Sequence, residues 1–395
     1  MMRGMGSRAA LVVCLGALGL AAPQGAEAAS LYVALGDSYT SAPAVPNQTG
    51  QPAGCLRSDH NYPGLTAQAL GLTLRDVSCS GAKTRDMMAP QTGLPAGGTN
   101  PPQFDAVTPE AALVTVGIGG NDAGLVGVGL KCGELGSRDP NGKACRQFYT
   151  AGGRDRVGEL IDAAAPKVAG VLQGIHARAP AARVAIVGYP AVAPTDGTGC
   201  YPLVPASPDD LAYINELLVR INAMIATQAA ANDAEYVDTY SDSVGHDVCK
   251  LPLTRWFEGL IPTAPAYPLH PNAEGEASMA RSTLKVLSRP RPAAAKVPAL
   301  AGLRQRRAAR RVGPPPRFTF TLDRAATVAF TLQRRVADKR YGPPRKVTVR
   351  ALPGGAGRVS VRRAVLGRLR GAYKLTATPS AGGVAGAPAA LRFRM

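Results

Sequence analysis

Between residues 30 and 288 the chain alternates short runs of strand-type residues with longer stretches whose apolar residues recur at helical spacing, which all but confines it to a parallel sheet covered on both faces. Leu31–Leu35, Ala111–Val116 and Val184–Val187 read as strands, with Tyr236–Val237 a weaker one. Residues 157–176 and 208–231 read as helices; in the second, Leu211, Ile214, Leu218, Ile221 and Ile225 fall three or four apart.

The period changes after Pro316. Phe318, Phe320 and Leu322 alternate with polar residues, as do Val328, Phe330 and Leu332, then Val347 and Val349, Tyr373 and Leu375, and Leu391 and Phe393. Short alternating strands of this kind predict a small β-sandwich over 317–395. The stretch 289–316 is dense in Pro, Ala and Arg and reads as a solvated linker. Charge divides at the same place. Residues 1–280 hold 18 Lys and Arg against 25 Asp and Glu, a net −7, whereas residues 281–395 hold 27 against 2, a net +25.

Residues 1–28 have the form of a secretory signal: Arg3 and Arg8, an apolar run from Ala9 to Ala22, and small residues around Ala26-Glu27-Ala28. A lipoprotein anchor is not expected, because Cys14 follows Val13 inside the apolar run. No later segment approaches the roughly 18 continuous apolar residues of a membrane span. The mature chain is therefore expected outside the cytoplasm. Without Cys14, six cysteines remain: Cys55, Cys79, Cys132, Cys145, Cys200 and Cys249, an even set suited to disulfides. No Cys-x-x-Cys pair occurs and the four histidines are scattered singly, so no metal or other cofactor is expected.

The first strand runs into Gly36-Asp37-Ser38-Tyr39, which puts a serine at the carboxyl end of a parallel strand, where open α/β sheets bind their ligands. A serine hydroxyl is a weak nucleophile until a base removes its proton, so a histidine must reach it from elsewhere in the chain. Three further segments follow in order: Cys79-Ser80-Gly81-Ala82, Gly119-Gly120-Asn121-Asp122, and His270-Pro271-Asn272. Together the four resemble the SGNH (GDSL-like) hydrolase family, in its secreted bacterial lipase and esterase branch, over about residues 30–288. The resemblance implies a three-layer, flavodoxin-like parallel sheet and a carboxylester hydrolase working through an acyl-enzyme. It implies Ser38 as nucleophile, His270 as base, and an oxyanion hole from the Ser38 and Gly81 N–H groups and the Asn121 amide. Glycine lets backbone approach a substrate, and asparagine donates a hydrogen bond without charge. The resemblance also implies sequential disulfides, 55 with 79, 132 with 145 and 200 with 249, which close the shortest loops.

One position departs from the family. An Asp commonly stands three residues before the histidine, and here that residue is Tyr267. The expectation is a Ser38/His270 dyad whose imidazole is oriented by the Tyr267 main-chain carbonyl, with Asp242, Asp247 or Glu258 as an acid from elsewhere in the alternative. His246 is the rival base; His60 and His176 read as structural, as do Asp37 and Asp122. Tyr39, Pro43 and the run Gly124–Leu130 are candidates for an acyl site. The expected partners are an ester or lipid substrate and, for the basic region, an anionic cell-wall polymer or lipid surface. Nucleic acid is not expected, because few aromatics interleave with the arginines. A monomer is expected. The competing class is a non-catalytic envelope-binding protein on a decayed hydrolase scaffold.

Overall fold

The structure is a computed structural model that describes residues 30–290, 300–306, 317–323, 326–337, 340–352, 355–360, 371–381, 384–385 and 388–394. The expected signal segment lies outside the described residues. Five strands form the first sheet: β1 Leu31–Gly36, β2 Thr73–Asp76, β3 Ala111–Gly117, β4 Arg183–Val187 and β5 Glu235–Val237. All pair in parallel, in the order β2-β1-β3-β4-β5. This is the doubly wound flavodoxin-like order, with its switch point between β1 and β3. The helices are α1 Ser38–Ser41, α2 Tyr62–Leu70, α3 Gly120–Ala123, α4 Leu125–Gly136, α5 Ala144–Thr150, α6 Arg156–Arg178, α7 Pro208–Ala231 and α8 Ala273–Leu287.

The central strands are buried on both faces, which is why β1, β3 and β4 read as nearly continuous apolar runs. Strand β2 is different. Thr73–Asp76 sits at the sheet edge and is only partly covered, so its sequence carries little strand signal. On one face α6 and α7 pack Ile161, Val168, Leu172, Leu218, Ile221 and Ile225 into the main core. On the other, α2 and α8 cover a smaller cluster that includes Tyr62, Met279 and Ala280. Ser207 caps α7 by accepting from the Asp210 N–H, and Asn272 caps α8 by accepting from those of Glu274 and Gly275.

Register brings Gly36 of β1 beside Gly117 of β3. The Asp37 N–H donates to the Gly117 carbonyl (3.0 Å) and the Cys79 N–H to that of Gly36 (3.0 Å), so the chains leaving β2, β1 and β3 stand abreast at one edge. Three disulfides are formed: Cys55–Cys79, Cys132–Cys145, which joins α4 to α5, and Cys200–Cys249. The last closes 49 residues and, on chain entropy, contributes about 4 kcal/mol.

The second unit is all β. Strands β7 Arg317–Leu322, β8 Ala326–Ala337, β10 Arg345–Leu352, β12 Ala372–Ala381 and β14 Ala389–Arg394 are those expected from alternation; β6 Leu300–Arg306, β9 Arg340–Tyr341, β11 Gly355–Ser360 and β13 Val384–Ala385 are additional. One antiparallel sheet runs β11-β7-β6, and the other is built on β10-β8-β12 with β14 along β12. Phe318 and Phe320 of the first meet Phe330, Tyr373, Leu375 and Phe393 of the second in one core, as a sandwich requires. Strand β6 corrects the expected linker 289–316. Leu300 and Leu303 pack onto the sandwich core and β6 pairs antiparallel with β7, so 300–306 belongs to the folded unit despite its basic composition.

Candidate active site

Ser38 opens α1 immediately after β1, with Asp37 as its N-cap. The turn needs Gly36, which sits at φ 153°, where an added Cβ would lie 2.8 Å from the Gly117 carbonyl oxygen. Gln103, fully buried, clamps the same glycine by accepting from its N–H (2.8 Å) and donating to its carbonyl (2.9 Å). At the opposite end of the site His270 stands just before α8, after Leu269 at φ 63°.

The two residues meet across 232 positions of sequence: His270 Nε2 lies 2.7 Å from Ser38 Oγ. His270 Nδ1 lies 2.7 Å from the Pro268 carbonyl oxygen. A carbonyl can only accept, so Nδ1 carries the proton and Nε2 presents a lone pair to the serine hydroxyl. The expected Tyr267 carbonyl is thus replaced by that of Pro268. The Tyr267 carbonyl is occupied otherwise, accepting the His270 N–H (3.1 Å) in a tight turn that aims the following carbonyl at the ring. Burial takes the His270 imidazole down to about 4, with the Pro268 hydrogen bond pulling the other way, so the ring is neutral at pH 7.

None of the alternative acids touches the imidazole. Asp242 accepts from Ser282 and Lys285, Asp247 from the Cys249 N–H, and Glu258 from the Thr263 N–H and the Asn272 amide. His246 stacks flat on Trp256, ring centroids 3.4 Å apart, with Nδ1 on the Thr254 carbonyl. His60 pairs with Asp59, and His176 lies in the last turn of α6.

Gly81 is exposed at φ 79° in the loop after β2. Asn121 lies in α3, and its Nδ2 donates one hydrogen bond to the Ala82 carbonyl (3.0 Å), which ties α3 to the Gly81 loop and leaves the second amide hydrogen for another acceptor. Asp122 accepts from Thr84 through its N–H and hydroxyl, as a turn-holding carboxylate would. Tyr189, which the sequence reading did not single out, links two of these loops: its hydroxyl donates to Asp37 (2.6 Å) and accepts the Gly120 N–H (2.7 Å). Burial pushes the Asp37 carboxyl up to about 7, against the hydrogen bonds from Tyr189 and the Tyr39 N–H. A lone tyrosine beyond β4 carries no sequence signal for such a role.

Beside Ser38 opens a mostly apolar pocket. Its walls come from α4 (Leu125, Val128, Gly129, Gly133) and α7 (Leu211, Ile214, Leu218), closed by Leu260 and Leu269. Tyr39 and part of the Gly124–Leu130 run are in the wall. Pro43 is not; its carbonyl accepts the Tyr267 N–H (2.9 Å). Among the described residues, no helix is long and apolar enough to cross a membrane.

A flavodoxin-like parallel sheet with this cluster of loops at the carboxyl edge of its strands defines an α/β hydrolase. Residues 34–277 match the model of the GDSL-like Lipase/Acylhydrolase family, and the chain belongs to that family. It is a carboxylester hydrolase. It is similar to Lipase 2 of Streptomyces coelicolor, 37% identical over 270 residues that make up 68% of this chain and 89% of that protein. Among solved structures it is similar to the extracellular lipase of Streptomyces rimosus (28% identity, TM-score 0.54, covering 65% of this chain and 100% of that one). A phospholipase A1 from Streptomyces albidoflavus is similar to a like extent (26% identity, TM-score 0.53, covering 66% and 98%).

Proposed function

We propose that this protein is a secreted lipase or esterase that cleaves esters of apolar acyl chains through an acyl-enzyme on Ser38. His270 Nε2 takes the Ser38 proton as Oγ attacks the ester carbonyl, and the imidazolium so formed protonates the departing alkoxide. Water then attacks the acyl-serine with the same base, releasing the acid and restoring the hydroxyl. The oxyanion that develops in each step is received by the Ser38 and Gly81 N–H groups and the second amide hydrogen of Asn121, all uncharged donors. The Pro268 carbonyl holds the ring in the working tautomer and faces the imidazolium with the negative end of its dipole.

The observation that carries this reading is the pair of 2.7 Å contacts on opposite nitrogens of His270, one to Ser38 Oγ and one to the Pro268 carbonyl. The apolar pocket beside Ser38 supports the acyl preference, since each methylene it takes from water gains about 0.8 kcal/mol. The relatives named lipase and phospholipase A1 support an ester of lipid type. Secretion is supported by the leader-like first 28 residues and by an extracellular relative. The basic second unit, in this reading, holds the enzyme at an anionic envelope polymer or lipid surface. The test is hydrolysis of a p-nitrophenyl ester by the wild type and by Ser38→Ala. We expect kcat to fall by about 10⁴-fold or more; equal rates would end the acyl-enzyme reading and favour a binding protein on this scaffold.

A further inference from the structure

We infer that the buried Arg255–Glu258 ion pair is the positioning device for the base, holding the main chain of Leu269 and His270 where a carboxylate on the imidazole is lacking. The inference rests on the Ser38/His270 reading above. Arg255 is 1% exposed and Glu258 is fully buried, with Arg255 Nε 3.3 Å from Glu258 Oε2. Two charges removed so completely from water are expensive to keep, and such a pair is tolerated when it is also hydrogen-bonded in a fixed geometry. That condition is met on the carboxylate side. Glu258 accepts the Thr263 N–H (2.7 Å) and the Asn272 amide (2.9 Å), while Arg255 Nη2 reaches Thr263 Oγ1.

The same short segment carries the histidine. The Glu258 N–H donates to the His270 carbonyl (3.0 Å) and the Leu269 N–H to the Glu258 carbonyl (3.1 Å). The Asn272 N–H donates to the Trp256 carbonyl (3.0 Å), and Phe257 bridges Pro271 antiparallel. Residues 256–258 and 270–272 therefore form a two-stranded ribbon with the ion pair at its root. Asn272 joins both ends of this arrangement, since its side chain caps α8 while its amide donates to Glu258 and to the Arg255 carbonyl (3.1 Å).

The ribbon holds the chain in a conformation it would not otherwise keep. Leu269 stands at φ 63°, a region that a bulky residue occupies only when its surroundings over-determine it. Its carbonyl is pinned by the Tyr39 hydroxyl (2.7 Å), its N–H by Glu258. Both working contacts of His270 depend on this turn, because Pro268 and His270 lie on either side of Leu269. A slip of about 1 Å there is enough to cost about 10²-fold in rate.

The test compares Glu258→Gln with the apolar double variant Arg255→Met/Glu258→Leu in the full chain. For each we would measure Tm, the split between kcat and KM on a soluble ester, and the proton resonance of His270 Nδ1–H. Glu258→Gln should lower kcat by about 10²-fold at nearly unchanged KM and weaken or broaden the Nδ1–H signal. The double variant removes both charges, so Tm should return to within a few degrees of wild type while kcat stays at least tenfold low and the Nδ1–H signal stays broad. Recovery of kcat together with Tm would overturn the inference, because the pair would then serve stability alone. A 10⁴-fold loss in Glu258→Gln with a shifted His270 titration would overturn it too, by making Glu258 a direct partner of the ring. Failure of the underlying reading is distinct, since Ser38→Ala would then keep its activity.

Discussion

At the scale of single residues, the proposed base is a buried imidazole. The ordinary imidazole titrates near 6.5, and burial lowers that of His270 to about 4. The neutral ring is the form that accepts a proton, so in the proposed mechanism His270 is competent at every pH above about 4. The acid limb of kcat/KM should therefore fall near pH 4, well below the value for a free histidine. Because the folded ring holds on to fewer protons than the unfolded one between these values, His270 contributes stability that is complete above about 6.5 and is lost as pH falls towards 4. Asp37, raised by burial to about 7, is the nearby group that could imitate such a limb. Asp37→Asn separates the two: an inflection near 7 disappears with the carboxyl, and the limb near 4 remains. An acid limb that stays near 6.5 in both proteins would contradict the buried, neutral base.

At the scale of elements, helix α4 lies close against neighbouring loops at two of its glycines, one in the pocket wall and one outside it. An added Cβ at Gly133 would meet Leu260 Cδ1 at 2.9 Å, the movable end of a side chain in the pocket wall. At Gly136 it would meet main chain, the Pro205 carbonyl oxygen at 2.5 Å and Ala206 Cα at 2.6 Å. The same substitution should thus act differently one turn apart. Gly133→Ala should leave Tm level or higher, since a mid-helix Gly→Ala gains about 1 kcal/mol, while lowering the rate on long p-nitrophenyl esters relative to short ones. Gly136→Ala forces the helix off its neighbour and should lose about 1–3 kcal/mol, read as a lower Tm. The glycines of the Gly124–Leu130 run were visible in the sequence as a candidate wall. The partners that give Gly133 and Gly136 their meaning were not, because Leu260 and Pro205 come from loops more than 60 residues away.

At the scale of the whole molecule, charge divides along the chain, a net −7 over residues 1–280 and +25 over residues 281–395. If the basic unit holds the enzyme on an anionic surface, the full chain should co-sediment with phosphatidylglycerol vesicles at low salt and be released as the ionic strength rises to about 0.5 M, where screening reaches only a few ångströms. Neutral phosphatidylcholine vesicles should retain little. Retention that ignores both salt and lipid charge would remove electrostatics as its cause.

What the sequence determined by itself was chemistry and order. Strand and helix alternate there because sheet and helix bury apolar residues at different periods, and the four motifs follow one another because each leaves a strand or enters a helix. The resemblance those motifs carry singled out Ser38, Gly81, Asn121 and His270, and it implied the three disulfides that the structure forms. The sequence also marked where charge and periodicity change, though composition alone hid strand β6, whose Leu300 and Leu303 find their core only when β7 is beside them. Only the tertiary structure decided how the base is held. Whether Tyr267 or Pro268 offers its carbonyl depends on one backbone turn at Leu269, whose N–H and carbonyl are met by Glu258 and Tyr39 from elsewhere in the chain. Tyr189 and Gln103 are likewise silent in the sequence, because a hydrogen bond between distant segments leaves no periodic trace. Local pattern records what each segment buries; orientation to within a few tenths of an ångström is a property of the assembled fold.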